Sequence, residues 1–138
     1  MEMFIDFFGE FIQVRMKKFV LLFTCMFITV FVFAQTNFQE LTLAKALEKA
    51  KIENKYVFVD CYTSWCGPCK MMAADILPLK EVGEYMNATF VSVKFDMEKG
   101  EGRDIQQKYK VSSYPTFLVL NVDGSLLHAV VGASATGE

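Results

Sequence analysis

Apolar and polar residues fall into two kinds of pattern along this chain. One unbroken apolar run, residues 19–34, holds 16 residues without a charge. After Gln35 the apolar positions become periodic and are separated by turn residues. Leu43 and Leu47 lie four apart with Ala46 and Ala50 beside them. That makes one apolar helix face over residues 43–51, with Thr42 as N-cap. Tyr56–Tyr62 is apolar on both faces except at Asp60, as a central strand covered from both sides would be. A helical pattern follows over residues 68–77, with Met72 and Ile76 on the face of Cys69. Pro78 must kink or end it, and a second short helix over 79–86 turns Val82, Tyr85 and Met86 inward. Residues 89–96 alternate as a strand, with Phe90, Ser92 and Lys94 against Val91, Val93 and Phe95. Residues 98–102 form a charged, glycine-bearing turn, and 103–110 a helix with Ile105 and Tyr109 four apart. Residues 117–120, a turn around Asp123-Gly124, and Leu126–Val131 make a hairpin. A β-α-β order followed by a hairpin predicts an α/β fold: a central mixed sheet of about four strands, two parallel and two in the closing hairpin, flanked by helices.

The chemistry concentrates between the first predicted strand and the helix after it. Cys66 and Cys69 stand three positions apart there. A strand that turns into a helix this way seats the first sulfur over the helix N-terminus, where free N–H groups and the dipole favour an anion. The thiolate is the reactive form of cysteine. Cys69 lies one turn further in, within reach of the first sulfur, and Pro68 suits the first helical turn. A structural zinc needs four ligands; Cys25, Cys61 and His128 are scattered, so the pair reads as redox chemistry with no metal. Asp60 interrupts an apolar strand. Burial raises a carboxyl's pKa, which lets it exchange a proton with a nearby thiol; a hydrogen-bonded core aspartate without a kinetic role is the plain alternative. Alternation points Cys61 to the opposite face, as an inert buried thiol. His128 reads as a strand surface residue, and Met71 and Met72 as packing.

Trp65-Cys66-Gly67-Pro68-Cys69-Lys70 resembles the active-site signature of the thioredoxin family. Asp60, six residues before Cys66, Tyr114-Pro115-Thr116, and Asp123-Gly124 followed by Gly132 resemble further family features, so the likeness spans about residues 38–133. The resemblance implies a thioredoxin-like fold without a cofactor, and a Cys66–Cys69 redox disulfide. It implies a cis bond before Pro115, and Asp60 as the group that takes the proton from Cys69. It also implies a client groove shaped by Trp65, Gly67, Pro68, Tyr114, Pro115 and Thr116, in which an extended segment pairs by strand addition. The Gly-Pro dipeptide between the cysteines resembles reducing thioredoxins, whereas envelope oxidases usually carry a histidine there; a disulfide reductase or isomerase is therefore expected. The break at Pro78 resembles thioredoxin-like proteins related to the C-terminal domain of the envelope's membrane reductant conductor. A complete thioredoxin would add a final helix after Gly132. Truncation is the simpler account of its lack here; an exposed sheet face that finds a partner is the other.

Composition and the N-terminal run add a location. The 138 residues carry a net charge of −2 and no basic patch, which argues against nucleic acid as a partner. Lys17-Lys18, the apolar run and the small residue Ala34 have the order of a secretory signal cleaved after Ala34. Its 16 residues fall short of the ~20 of a spanning helix, and an uncleaved anchor is the alternative. Residues 22–25 resemble a lipoprotein box only faintly, and Cys25 reads as an apolar filler. Glu2, Asp6 and Glu10 do not suit the front of a signal, so translation is expected to start at Met16. The expected organisation is then residues 1–34 as extension and signal or anchor, and 35–138 as the domain, with 11 basic and 13 acidic residues. Such a protein would be exported, periplasmic or extracytoplasmic. It would act on disulfide-bearing client proteins, be recharged by an upstream electron donor that is a membrane dithiol protein, and touch the membrane only through that segment. A binding scaffold on the same fold, holding partners without turnover, is the rival reading.

Overall fold

The computed structural model describes residues 35–134. The signal or anchor over 19–34, cleavage after Ala34, Cys25 and the start at Met16 lie outside the described residues, as do residues 135–138, where a final helix would begin.

Two elements follow from local chemistry much as read. Helix α1, Leu43–Glu53, is capped by Thr42, whose hydroxyl accepts the Lys45 N–H at 3.3 Å. It ends where Asn54 takes a left-handed conformation at φ 53°, and so runs two residues beyond the expected 51. Strand β1, Tyr56–Tyr62, lies inside the sheet. The segment after it is where the expected single helix over 68–77 needs correction. Helix α2, Gly67–Met71, widens into a π-helical turn, Met72–Ile76, closed by the Leu77 N–H on the Met72 carbonyl at 2.9 Å. Pro78 has no N–H to continue the ladder, and the wider turn still buries both Met72 and Ile76.

Helix α3, Lys80–Thr89, feeds strand β2, Phe90–Asp96. Met86 is buried in α3, but Tyr85, expected inward, is 64% exposed and meets Phe90 edge-on at its rim. Consecutive helical positions are about 100° apart, so Tyr85 and Met86 cannot share the narrow face that Met86 occupies. Helix α4, Glu101–Tyr109, starts two residues before the expected 103. Gly102 permits this: a Cβ there would overlap the Asp96 carbonyl. Gly102→Ala is expected to lower unfolding stability by about 1–3 kcal/mol, read from the midpoint of a urea denaturation curve; an unchanged midpoint would refute the close contact.

Strands β3, Thr116–Leu120, and β4, Leu126–Val131, close the sheet in the order β2-β1-β3-β4. β1 and β2 are parallel and the other pairings antiparallel, which is the expected mixed sheet. Two apolar layers flank it. Val57, Val59 and Cys61 of β1 pack with Leu43, Ala46, Ala50 and Ile105 of α1 and α4. Phe58 packs with Met72, Ile76, Met86 and Phe117 on the other side. Strand alternation therefore puts Asp60 on the Phe58 side and Cys61 on the opposite one, as read from sequence.

Residues 36–40 are tied to the domain. The Thr36 hydroxyl donates to the Leu77 carbonyl at 2.7 Å, the Gln39 N–H donates to the Ser92 carbonyl at 2.9 Å, and Phe38 bridges to Ser92. β4 is an edge strand whose Leu126, Leu127, Val130 and Val131 are exposed, and His128 is exposed on it too.

Candidate active site

Cys66 occupies the N-cap of α2 with an extended backbone, φ −71° and ψ 107°. Its Sγ accepts the Cys69 N–H at 3.2 Å, and its carbonyl accepts the Lys70 N–H at 3.2 Å. Pro68 stands in the first turn, where its missing N–H leaves nothing unpaired. The strand-to-helix turn thus aims a backbone donor at the first sulfur, as the spacing predicts. The two cysteines form a disulfide, with Cα atoms 5.3 Å apart.

In this closed form Cys66 is 3% and Cys69 6% exposed. Trp65, Gly67 and Pro68 make an exposed rim around them. The Trp65 ring meets Tyr114 edge-on at 5.9 Å, and its Nε1–H donates to Glu98 Oε1 at 3.0 Å. The Tyr114–Pro115 bond is cis, as the resemblance implies. Pro115 is fully buried, and its carbonyl accepts the Gly132 N–H at 2.9 Å. Thr116 is buried as well, its hydroxyl donating to the Ser113 carbonyl at 2.8 Å. Of the expected groove residues on this loop, Tyr114 alone turns a side chain partly outward; Pro115 and Thr116 fix the shape of the loop from within. The Tyr114 hydroxyl accepts from Gln106 Nε2 at 2.6 Å.

Beneath the disulfide, Asp60 and Cys69 line one cavity of about 190 Å3, together with Thr63, Lys70, Ala73 and Lys94. Asp60 is 6% exposed, and its Oδ1 is buried without a hydrogen bond. Burial pushes its carboxyl up from 3.8 to about 6, and the Lys94 charge opposes that rise. Lys94 is the register partner of Asp60 across the β1–β2 pair. Sequence reasoning gave Lys94 no role; its only signal was the strand alternation that set it on one face with Phe90 and Ser92. Glu98 and Gln106, which hold Trp65 and Tyr114, were missed for a similar reason: nothing local to either points at its partner.

Cys61 lies in the other core layer, where burial and the nearby Asp60 charge push its thiol up to about 12. That is the inert thiol expected. Neither it nor His128, on the edge strand β4, lines the cavity at Cys69.

The thioredoxin family model matches residues 29–138. Thioredoxin-2 of Pyricularia oryzae is 35% identical over 101 residues, 73% of this chain, and the chain spans 55% of that protein's length. Mitochondrial thioredoxin-3 of Saccharomyces cerevisiae is 34% identical over 101 residues, covering 73% of this chain and 74% of its own. The solution structure of a candidate disulphide-isomerase from Bacteroides thetaiotaomicron is 43% identical, covers 74% of this chain and 84% of that one, and superposes with a TM-score of 0.67. With its two sulfurs joined at a helix N-terminus beside a cis-proline loop, the chain belongs to the thioredoxin family, and Cys66 and Cys69 form its thiol–disulfide oxidoreductase centre.

Proposed function

We propose that this protein reduces or isomerises disulfides in exported client proteins. The observation that carries the reading is the seat of Cys66, at the helix N-cap with a backbone N–H on its sulfur and Cys69 bonded to it. In the reduced form the Cys66 thiolate attacks a client sulfur. A Cys66–client disulfide forms, the client S–S bond breaks, and one client thiolate leaves. Cys69 then loses its proton and attacks the Cys66 sulfur, expelling the second client thiolate. The client gains two electrons and the enzyme keeps the Cys66–Cys69 disulfide. Asp60 is the acceptor for the Cys69 proton. Both groups line one cavity large enough for water, which can carry the proton between them, and a carboxyl that titrates at about 6 is matched to this task near neutral pH.

Trp65, Gly67, Pro68 and Tyr114 frame the approach to Cys66, and an extended client segment adds as a strand alongside the Tyr114–Pro115 loop. Each reductive turnover needs two electrons from an upstream dithiol protein, which for an exported enzyme resides in the membrane. Export is supported by the basic start and apolar run before Gln35. The reducing direction is supported by the Gly-Pro dipeptide and by likeness to the B. thetaiotaomicron candidate isomerase.

A redox titration of the full chain tests the direction. The expected potential lies near that of thioredoxin, around −270 mV, and a value near −120 mV, that of a strong periplasmic oxidant, would overturn it.

A further inference from the structure

Tyr114 faces two ways. Besides meeting Trp65, it lines a second depression of about 780 Å3 with Met97, Glu98, Lys99, Arg103 and Gln106. This depression shares no residue with the cavity beneath Cys69. It therefore adjoins the approach to Cys66 without belonging to the proton path.

Most of its polar groups are already engaged. Glu98 Oε1 accepts the Trp65 indole N–H, Lys99 Nζ pairs with Asp96 at 3.0 Å, and Gln106 donates to Tyr114. Arg103 differs. Its Nε–H donates to the Glu98 carbonyl at 2.7 Å, and no ion pair among the described residues includes it. A guanidinium held at Nε keeps its terminal nitrogens for a planar, two-oxygen acceptor, which a carboxylate supplies. With Lys99 neutralised by Asp96, Arg103 is the cation of the depression left to meet a client's carboxylate.

We propose that this depression is a client subsite for an acidic residue. The carboxylate of an Asp or Glu a few residues from the client's cysteine seats on Arg103, while the client chain passes Tyr114 and Trp65 to reach Cys66. The inference rests on the oxidoreductase reading above and deepens it: client choice is set partly by charge beside the Tyr114 loop. Gln106 and Glu98 act as positioning residues by fixing Tyr114 and Trp65 between the subsite and the sulfur.

The test uses the full chain, reduced with dithiothreitol and desalted, and homodimeric disulfides of short cysteinyl peptides. Attack by Cys66 expels one peptide thiolate and resolution by Cys69 expels the other, so two peptide thiols appear for each enzyme disulfide formed. Glu or Gln is placed at each of three positions on either side of the cysteine. At one position the Glu peptide is expected to react about fivefold faster than its Gln twin at low ionic strength, the scale of a single exposed ion pair. That ratio should fall in 0.5 M salt and reach about one in Arg103→Gln. The Glu-to-Gln ratio cancels any general loss of activity in the variant. Ratios within twofold at every position, or a preference that survives Arg103→Gln, would overturn the subsite while leaving the oxidoreductase reading intact. Failure of the wild-type chain to reduce hydroxyethyl disulfide would overturn that reading, and the subsite with it.

Discussion

Cys66→Ser is expected to lose disulfide reduction by roughly a thousandfold or more, down to the uncatalysed rate. A serine hydroxyl is not ionised near neutral pH, so the N–H that the Cys69 backbone aims at this position would have no anion to stabilise. The partner variant Cys69→Ser keeps the first attack and loses the second, so mixed disulfides with clients should accumulate on Cys66. Both outcomes are read in one assay, by thiol release and by mass of the trapped adduct. Retained turnover in Cys66→Ser would remove Cys66 from the chemistry; lost turnover with unchanged biological activity would favour the scaffold reading, in which the groove binds partners without chemistry.

Asp60→Asn is expected to have two opposite effects. In the disulfide form the carboxyl is 6% exposed, and burial raises it from 3.8 to about 6. The folded state then holds the proton more tightly than the unfolded one. Its contribution to stability is fully present below pH 3.8 and is lost as pH rises through 6. Asparagine carries no charge and escapes that loss, so at pH 8 the oxidised variant should be more stable than the native protein by about 3 kcal/mol, two pH units at 1.36 kcal/mol each. At pH 3 the variant should show no gain. Urea unfolding at the two pH values measures this. The same substitution should slow release of the second client thiol about a hundredfold or more, within the range of general base catalysis, and should flatten the rise of that step through pH 6. A variant with ordinary kinetics and the predicted stability would leave Asp60 as a buried charge without a role in turnover.

The seat of the reactive sulfur was legible because it depends on neighbours. Two residues on from Asp60 the chain leaves the strand, six residues on it reaches the helix cap at Cys66, and the N–H that meets Cys66 comes from Cys69, three residues further. The cap of α1 by Thr42, the stop at Pro78 and the hairpin around Gly124 belong to the same class. Each is settled by the backbone limits of one or two residues, such as the missing N–H of proline or the φ of 79° at Gly124. The opposite facing of Asp60 and Cys61 needed only the two-residue period of a strand.

What escaped the sequence lies across long separations. Trp65 and Glu98 are 33 residues apart, and Thr36 and Leu77 41. Lys94 comes to stand beside Asp60 through the parallel register of β1 and β2, which no residue of either strand states by itself. The π turn after Met71 and the outward Tyr85 were likewise settled by how the segment packs on Phe58 and Phe90.

By itself, then, the sequence determined the order of elements and the disposition of the two sulfurs, since strand alternation, helix capping and proline sterics act within a few residues. Only the tertiary structure decided which charges surround Asp60, what holds Trp65 and Tyr114, and that Arg103 stands beside them outside every ion pair among the described residues. Those depend on how whole segments align when their apolar faces close on a shared core, and that alignment is set by the sum of many packing contacts.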